Sequence, residues 1–218
     1  MNSKSELLKE FSYMGNYIFE RLEAISEQNL DNFNRHNTIL IIVDMNNGFA
    51  KHGNLYSERI EKLINPIVKL ANKIHENNIP IICFSDSHSQ NSIEFLNYPK
   101  HCLTDTNENQ IIDEIRKIKD IKIIPKNSTN GFFAKEFKPI FNKDNFIIVG
   151  NCTDICVYQF AITLKSYFTE FNKNKNIIVP MNFVDTFELK THKANFMNYV
   201  FLNSMIDNGI EVIKLKLD

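Results

Sequence analysis

Short apolar runs alternate with segments of helical periodicity along most of this chain. A short, continuous apolar run is typical of a strand that is covered on both faces of a sheet. The predicted strands are 38–44 (TILIIVD), 79–85 (IPIICFS), 121–126 (IKIIPK), 145–150 (NFIIVG), 176–180 (NIIVP) and 210–215 (IEVIKL).

The segments between these strands carry apolar residues at helical spacing. One of them begins at Ser57, a predicted N-cap, and contains Pro66, which predicts a kink. The predicted helices cover 4–27, 57–78, 107–119, 154–172 and 190–208. Between the first helix and the first strand, Asn and Asp residues cluster in 28–37 and predict a loop.

Alternation of strands and helices predicts an α/β fold with three layers, α/β/α, around a mainly parallel six-stranded sheet. The chain shows no internal repeat and no low-complexity linker. We therefore predict an N-terminal helical extension over 1–37, followed by one domain over 38–218.

Composition and charge narrow the range of functions. The chain has 218 residues, of which 43% are hydrophobic, and a net charge of −1, so it has no basic field that would attract nucleic acid. No apolar run is long enough to span a membrane and the N-terminus lacks a signal-peptide core, which predicts a cytoplasmic protein without membrane contacts. The four cysteines are too irregularly spaced for a disulfide scaffold, so we expect free thiols.

Polar or nucleophilic residues follow the carboxyl ends of four predicted strands. These residues are Asp44, Asp86, Lys126 and Cys156. In parallel sheets the carboxyl ends share one edge, where ligands bind, so we expect the four side chains to be close together.

Cys156 falls in the first turn of a predicted helix, where the helix N-terminus is expected to lower the pKa of the thiol. Asp44 could then accept the thiol proton, and Lys126 could hold both anions by charge. On these residues alone, a buried structural cysteine, a capping carboxylate and a solvated lysine remain alternatives.

The stretch 84–102 combines imidazoles and carboxylates after the second strand. Two His and two acidic side chains suit Zn²⁺, Mn²⁺ or Fe²⁺. An ordinary charged surface loop is the alternative. The predicted ligands are Asp86, His88, Glu94 and His101.

Three motifs together resemble those of the isochorismatase-like cysteine hydrolases, and within them the nicotinamidases. The motifs are VDMNNGF (43–49), PKNSTNGFF (125–133) and GNCTDICV (150–157). The resemblance implies the isochorismatase-like form of the α/β/α fold and a catalytic triad of Asp44, Lys126 and Cys156. It also implies a cis peptide bond between Asn151 and Cys152, and an oxyanion hole formed by the backbone amides of Cys152 and Cys156. Cys152 stands where similar proteins usually carry a small residue such as alanine.

The resemblance extends to the metal ligands, because Asp86-Ser87-His88, Glu94 and Pro99-Lys100-His101 match the order found in nicotinamidases. It implies one divalent metal ion, Zn²⁺ first, with Mn²⁺ or Fe²⁺ as alternatives. Phe49, Tyr98 and Phe132 are the implied substrate-binding residues. The implied small-molecule substrate is nicotinamide, which would be hydrolysed to nicotinate and ammonia through a cysteine thioester.

Three other interpretations remain open at this point. A metal-free relative, such as an isochorismatase or a carbamoyl amidohydrolase, would keep the triad without the metal. A thiol redox protein would use Cys152 and Cys156 as a pair, and a binding module would use the N-terminal helix for interaction. Homo-oligomers are common among similar enzymes, and the apolar stripe of that helix is consistent with one. The sequence assigns His192 only a capping or solvated position.

Overall fold

The computed structural model describes residues 3–217. Its helices are α1 (Lys4–Glu23), α2 (Asn47–Ala50), α3 (Glu58–Lys62), α4 (Ile64–Glu76), α5 (Asp113–Arg116), α6 (Tyr158–Glu170) and α7 (Ala194–Asp207). Its strands are β1 (Glu27–Asn29), β2 (Thr38–Val43), β3 (Ile81–Asp86), β4 (Ile121–Lys126), β5 (Asn145–Asn151), β6 (Asn176–Pro180), β7 (Val184–Asp185) and β8 (Glu211–Lys216).

All of these strands belong to one sheet, and every pairing within it is parallel. The order is β1-β8-β6-β5-β2-β3-β4, and the short β7 pairs with β5 beyond the end of β6. Apolar side chains form one buried cluster on each face of the sheet, one beneath α4 and α5 and the other beneath α6 and α7. The three-layer α/β/α prediction is confirmed.

Each of the six predicted strands is present, with bounds that differ by at most two residues at either end. The two additional strands, β1 and β7, have no apolar run to indicate them. β1 is the polar tripeptide Glu27–Asn29 at the edge of the sheet. Its first residue ends the helix predicted over 4–27, and its other two begin the loop predicted over 28–37. β7 has only two residues. Both are formed by pairing with an existing strand, which a local pattern does not report.

Four predicted helices differ from the structure. The helix predicted over 4–27 ends at Glu23, the one over 190–208 begins at Ala194, and the other two differ more. The segment 57–78 is divided into α3 and α4, and Pro66 is the third residue of α4, where its missing N–H breaks no helical hydrogen bond. Of 107–119, only α5 is helical. The residues before it are held instead by backbone hydrogen bonds to the segment after β2, such as that from the N–H of Asn47 to the carbonyl of Gln110.

Helix α1 begins with a capping box in which Ser3 and Glu6 satisfy each other's backbone amides. Only its C-terminal part is buried, through Ile18 and Leu22, which pack with the cluster beneath α7. None of the helices among residues 3–217 is both long and apolar enough to cross a membrane. The division between an extension and a domain at residue 38 stays a prediction.

Candidate active site and metal site

Three neighbouring strands bring charged residues to one edge of the sheet. Asp44 directly follows β2, Asp86 is the last residue of β3, and Lys126 is the last residue of β4. Because β3 and β4 are paired in register, Asp86 lies opposite Lys126. The sequence prediction that these groups meet at the carboxyl ends of the strands agrees with this arrangement.

Lys126 is the centre of the cluster. Its Nζ lies 2.9 Å from Asp44 Oδ2, 2.7 Å from Asp86 Oδ1 and 3.9 Å from Cys156 Sγ. The lysine and both carboxylates are almost completely buried. A buried cation between two carboxylates is the charge arrangement that the interior tolerates, since each ion has a partner.

Cys156 lies in a turn of π-helix, Thr153–Val157, that joins β5 to α6. The turn begins at the cis peptide bond between Asn151 and Cys152, as the resemblance predicted. Gly150 has φ +113°, and a Cβ there would lie 2.1 Å from the carbonyl oxygen of Val43, so no other residue fits. Glycine therefore allows β5 to lie this close to the backbone of β2 just before the turn that carries Cys156.

The electrostatics of the three side chains favour a neutral thiol at rest. Burial raises the pKa of the Cys156 thiol well above its usual value. The charge of Lys126 lowers this pKa only in part, and the charges of Asp44 and Asp86 raise it further. The prediction that the helix terminus lowers this pKa is therefore wrong. Burial raises the pKa of Asp44 to about 7, despite the neighbouring Lys126. Burial acts to lower the pKa of Lys126, but Asp44 and Asp86 raise it well above the ordinary value, so the lysine stays charged.

The candidate metal ligands converge next to this cluster. One atom of each of the four, a carboxylate oxygen or an imidazole nitrogen, lies within 4.8 Å of the others. Asp86 Oδ2 is 2.9 Å from His88 Nε2 and 3.1 Å from His101 Nε2, while Glu94 Oε1 is 4.0 Å from His88 Nε2. Two nitrogens and two carboxylates within one coordination shell fit a divalent ion such as Zn²⁺.

The far nitrogens of both imidazoles are fixed by oxygens that accept hydrogen bonds. His88 Nδ1 lies 2.9 Å from Asn127 Oδ1, and His101 Nδ1 lies 2.7 Å from the carbonyl oxygen of Pro99. With protons on Nδ1, the lone pairs of both Nε2 atoms face Asp86, which is the tautomer that a metal requires. Asn127 was missed by the sequence analysis, although it directly follows Lys126.

A cavity of about 710 Å³ opens onto both groups. Its lining includes Asp44 and Cys156 together with Asp86, Glu94 and His101. Its aromatic lining includes two of the predicted substrate-binding residues, Phe49 and Tyr98, and also Phe187.

Phe132 does not line this cavity. It lies in the turn after Asn130, whose side chain accepts a hydrogen bond from its N–H, and its ring packs against Phe133, Phe137 and Tyr167. Packing within this aromatic cluster beneath α6 accounts for an aromatic side chain at position 132. We therefore no longer count Phe132 among the proposed substrate-binding residues.

Two more contacts were not predicted from the sequence. Asn151 Nδ2 donates to the carbonyl oxygen of Asp44 at 2.6 Å and thereby ties β5 to the position of the aspartate. Asp154, buried in the turn beside Cys156, accepts a hydrogen bond from His192 at 2.7 Å. Neither pairing has a local signal, because the partners are distant in the chain.

Comparison with known proteins gives consistent results. The profile of the Isochorismatase domain family matches residues 38–213. Nicotinamidase 1 of Arabidopsis thaliana is 28% identical over 213 residues, which cover 81% of this chain and 82% of that protein.

Solved structures resemble the fold at lower identity. N-carbamoylsarcosine amidase from Thermoplasma acidophilum has a TM-score of 0.68 at 23% identity and covers 82% of this chain and 96% of its own. Pyrazinamidase of Pyrococcus horikoshii, solved in complex with zinc, has a TM-score of 0.68 at 21% identity and covers 82% of this chain and 99% of its own. At these identities the likeness establishes the fold alone.

Proposed function

The chain belongs to the isochorismatase domain family, and from that premise we propose that it is a metal-dependent nicotinamidase that hydrolyses nicotinamide to nicotinate and ammonia. One observation carries the proposal: the metal-ligand set and the thiol cluster share Asp86. Its Oδ1 faces Lys126 while its Oδ2 faces His88 and His101. Two imidazole nitrogens and two carboxylates gathered around one point are the ligand set expected of a divalent metal site.

Comparison with relatives supports the same substrate class. The Arabidopsis relative is named a nicotinamidase, and the Pyrococcus structure is a pyrazinamidase in complex with zinc. Both names refer to amides of a nitrogen-containing aromatic ring. We propose Zn²⁺ as the ion, and the reaction would belong to NAD salvage in the cytoplasm.

The chemical step begins with Asp44 and Cys156. Asp44, ionised above a pKa of about 7, accepts the proton of the Cys156 thiol as the sulfur attacks the carboxamide carbon. The C–N bond then breaks, and Asp44 returns the proton to the departing nitrogen, which leaves as ammonia. Water then attacks the thioester carbon while Asp44 accepts its proton, the C–S bond breaks, and Asp44 returns the proton to the departing sulfur of Cys156. Lys126 remains charged throughout and stabilises whichever of its neighbours is the anion.

The negative charge that develops on the carboxamide oxygen needs hydrogen-bond donors. We assign this role to the backbone amides of Cys152 and Cys156, in the turn that Gly150 makes accessible. In acyl-transfer enzymes the loss of one such donor costs roughly 3–4 kcal/mol of transition-state stabilisation. Phe49 and Tyr98 offer aromatic faces to a flat pyridine ring.

Asp86, His88, Glu94 and His101 would hold the ion. The chemistry that a divalent ion supplies at this site is Lewis acidity toward the ring nitrogen, which would orient the carboxamide toward the sulfur.

The decisive experiment measures ammonia release from nicotinamide by the purified protein, with and without a chelator, together with its metal content. We expect activity that the chelator removes and that Zn²⁺ restores. Cys156→Ala should lose at least about 10³-fold in kcat, since no other group supplies the nucleophile. Cys152→Ala is the matched control, because it keeps the backbone amide, and it should retain activity.

The same assay decides between the alternatives. Activity toward a carbamoyl amide in protein that is free of metal would favour a relative like the Thermoplasma amidase. Loss of activity in Cys152→Ala together with a reversible disulfide would favour a redox pair. Absence of any amidase activity, in folded protein containing metal, would refute the proposed function.

A further inference from the structure

His192 connects the nucleophile-bearing turn to the wall of the cavity. Its Nε2 lies 2.7 Å from Asp154 Oδ2, and Asp154 is two residues before Cys156 in the π-helical turn. Its Nδ1 lies 2.9 Å from the carbonyl oxygen of Phe187. The imidazole also stacks on the Phe187 ring, with the ring centroids 3.9 Å apart and an angle of 12° between the planes.

Both ring nitrogens of His192 therefore face oxygens that accept hydrogen bonds. The doubly protonated imidazolium can make both hydrogen bonds, whereas either neutral tautomer can make only one. Asp154 is buried, and its second oxygen, Oδ1, has no hydrogen-bond partner within residues 3–217. The hydrogen bond from His192 is therefore the side-chain contact that the structure gives this buried carboxylate within residues 3–217.

The loop that carries His192 is attached to the same turn at its other end. Strand β7 pairs with the end of β5, so that Val184 lies opposite Gly150 and Asp185 opposite Asn151. The side chain of Asp185 in turn accepts hydrogen bonds from Arg59 of α3. The segment 184–193 therefore contacts the end of β5 through the strand pairing of β7 and contacts the turn Thr153–Val157 through the hydrogen bond from His192 to Asp154.

We propose that His192 is a positioning residue for the oxyanion hole. Its hydrogen bond to Asp154 fixes the turn so that the amides of Cys152 and Cys156 point at the developing oxyanion. This inference rests on the proposed function, because it assumes acyl transfer at Cys156. It assigns His192 an effect on the transition state rather than on the binding of the amide.

The test compares the binding of two ligands. Nicotinamide is the ground-state ligand, and the second ligand forms an adduct that resembles the tetrahedral intermediate. Pyridine-3-carbaldehyde is the second probe: the sulfur of Cys156 adds to the aldehyde carbon, the C=O π bond becomes a C–O single bond, and the thiol proton ends on Asp44 or on that oxygen. The adduct places its oxygen in the oxyanion hole. The affinity for unreacted nicotinamide is measured in the Cys156→Ala background.

We expect His192→Ala to lower kcat/KM for nicotinamide about 10- to 100-fold, because a displacement of about 1 Å costs about that much. The affinity for the aldehyde should fall by a similar factor, while the Kd for nicotinamide in Cys156→Ala should change less than about twofold. His192→Gln, which can make one of the two hydrogen bonds, should lie between wild type and His192→Ala. The double variant Asp154→Asn with His192→Gln should have a kcat/KM no lower than that of the more damaging single variant, because the two residues act through one hydrogen bond.

The matched control is His36→Gln, which changes an exposed histidine far from the cavity along the sheet and should leave all three quantities unchanged. Circular dichroism and thermal melting establish that each variant is folded. If His192→Ala does not fold, the Gln variant carries the comparison.

Two results would overturn the inference. Folded His192 variants with kcat/KM and aldehyde affinity within twofold of wild type would show that the contact has no effect on the reaction. An equal loss of amide and aldehyde affinity would assign His192 to the cavity wall instead. The wild-type ammonia assay separates these outcomes from a failure of the proposed function, since that failure leaves the wild type itself inactive.

Discussion

Replacing Lys126 by methionine removes the cation at the centre of the site while retaining much of its volume. Its Nζ lies 2.9 Å from Asp44 Oδ2 and 2.7 Å from Asp86 Oδ1, so the variant leaves two buried carboxylates facing each other. The pKa of Asp44 is already raised to about 7 by burial, with Lys126 present to oppose the rise. Removal of the Lys126 charge must raise the pKa of Asp44 further.

The size of the effect follows from the distance. An opposite charge within about 4–6 Å lowers the pKa of an aspartate by about 1–3 units, so Lys126→Met should move Asp44 from about 7 to about 8–10. At pH 7 about half of the wild-type Asp44 is ionised, and a rise of one unit leaves roughly a tenth. Loss of the base alone therefore costs about fivefold at pH 7, and each further unit costs about another tenfold.

The assay is the dependence of kcat/KM for nicotinamide on pH between 5 and 10. In the wild type the rate should rise with pH through about 7, because Asp44 must be ionised to accept the thiol proton. In Lys126→Met the rise should move to higher pH, and activity should recover in part above it. Lys175→Met is the matched control: that lysine is also buried and pairs with Asp144 at 2.8 Å, but it lies next to the amino end of β6.

Lys175→Met should lose stability without a change in the pH profile. If the profile of folded Lys126→Met coincides with that of the wild type, apart from a constant factor at every pH, Lys126 does not tune Asp44 and the electrostatic reasoning is refuted.

Three further predictions concern the turn, the metal and the thiol. Gly150→Ala should destabilise the fold by more than about 2 kcal/mol in urea unfolding, because its Cβ would collide with backbone, whereas Gly15→Ala, in an open part of α1, should be neutral or stabilising by up to about 1 kcal/mol; equal effects would contradict this. His101→Ala should lose bound metal as measured by elemental analysis, and His75→Ala on α4 should keep it; metal retained in the first variant would remove His101 from the ligand set. The Cys156 thiol should react slowly with iodoacetamide at pH 7 and about tenfold faster per pH unit above it, because burial raises its pKa; a rate at pH 7 above that of free cysteine would indicate a resting thiolate.

The sequence predicted the strands well because each of them is a short apolar run buried on both faces. It predicted the helices less well where long-range contacts decide the backbone. In 107–112, for example, hydrogen bonds to the segment after β2 replace helical ones. β1 was missed because a polar edge strand is formed by its partner β8 and not by its own composition.

The placement of the candidate site followed from topology. Parallel strands end on one edge, so Asp44, Asp86 and Lys126 were expected on the same edge once the strands were identified. They are neighbours because β2, β3 and β4 are adjacent in the sheet, an order that the structure supplies. The protonation state of Cys156 could not be obtained in this way. A helix terminus favours the thiolate, but the degree of burial, which only the packed structure gives, outweighs it.

The sequence by itself determined the α/β fold and indicated the edge of the sheet and the residues that we propose for the triad and the ligand set. These features depend on local apolar patterns and on the order of motifs along the chain. Only the tertiary structure decided that Asp86 contacts Lys126 with one oxygen and the two histidines with the other. It also decided that Phe132 packs against the core and that His192 donates a hydrogen bond to Asp154. Such pairings depend on burial and on distances between segments far apart in the chain, which no local pattern encodes.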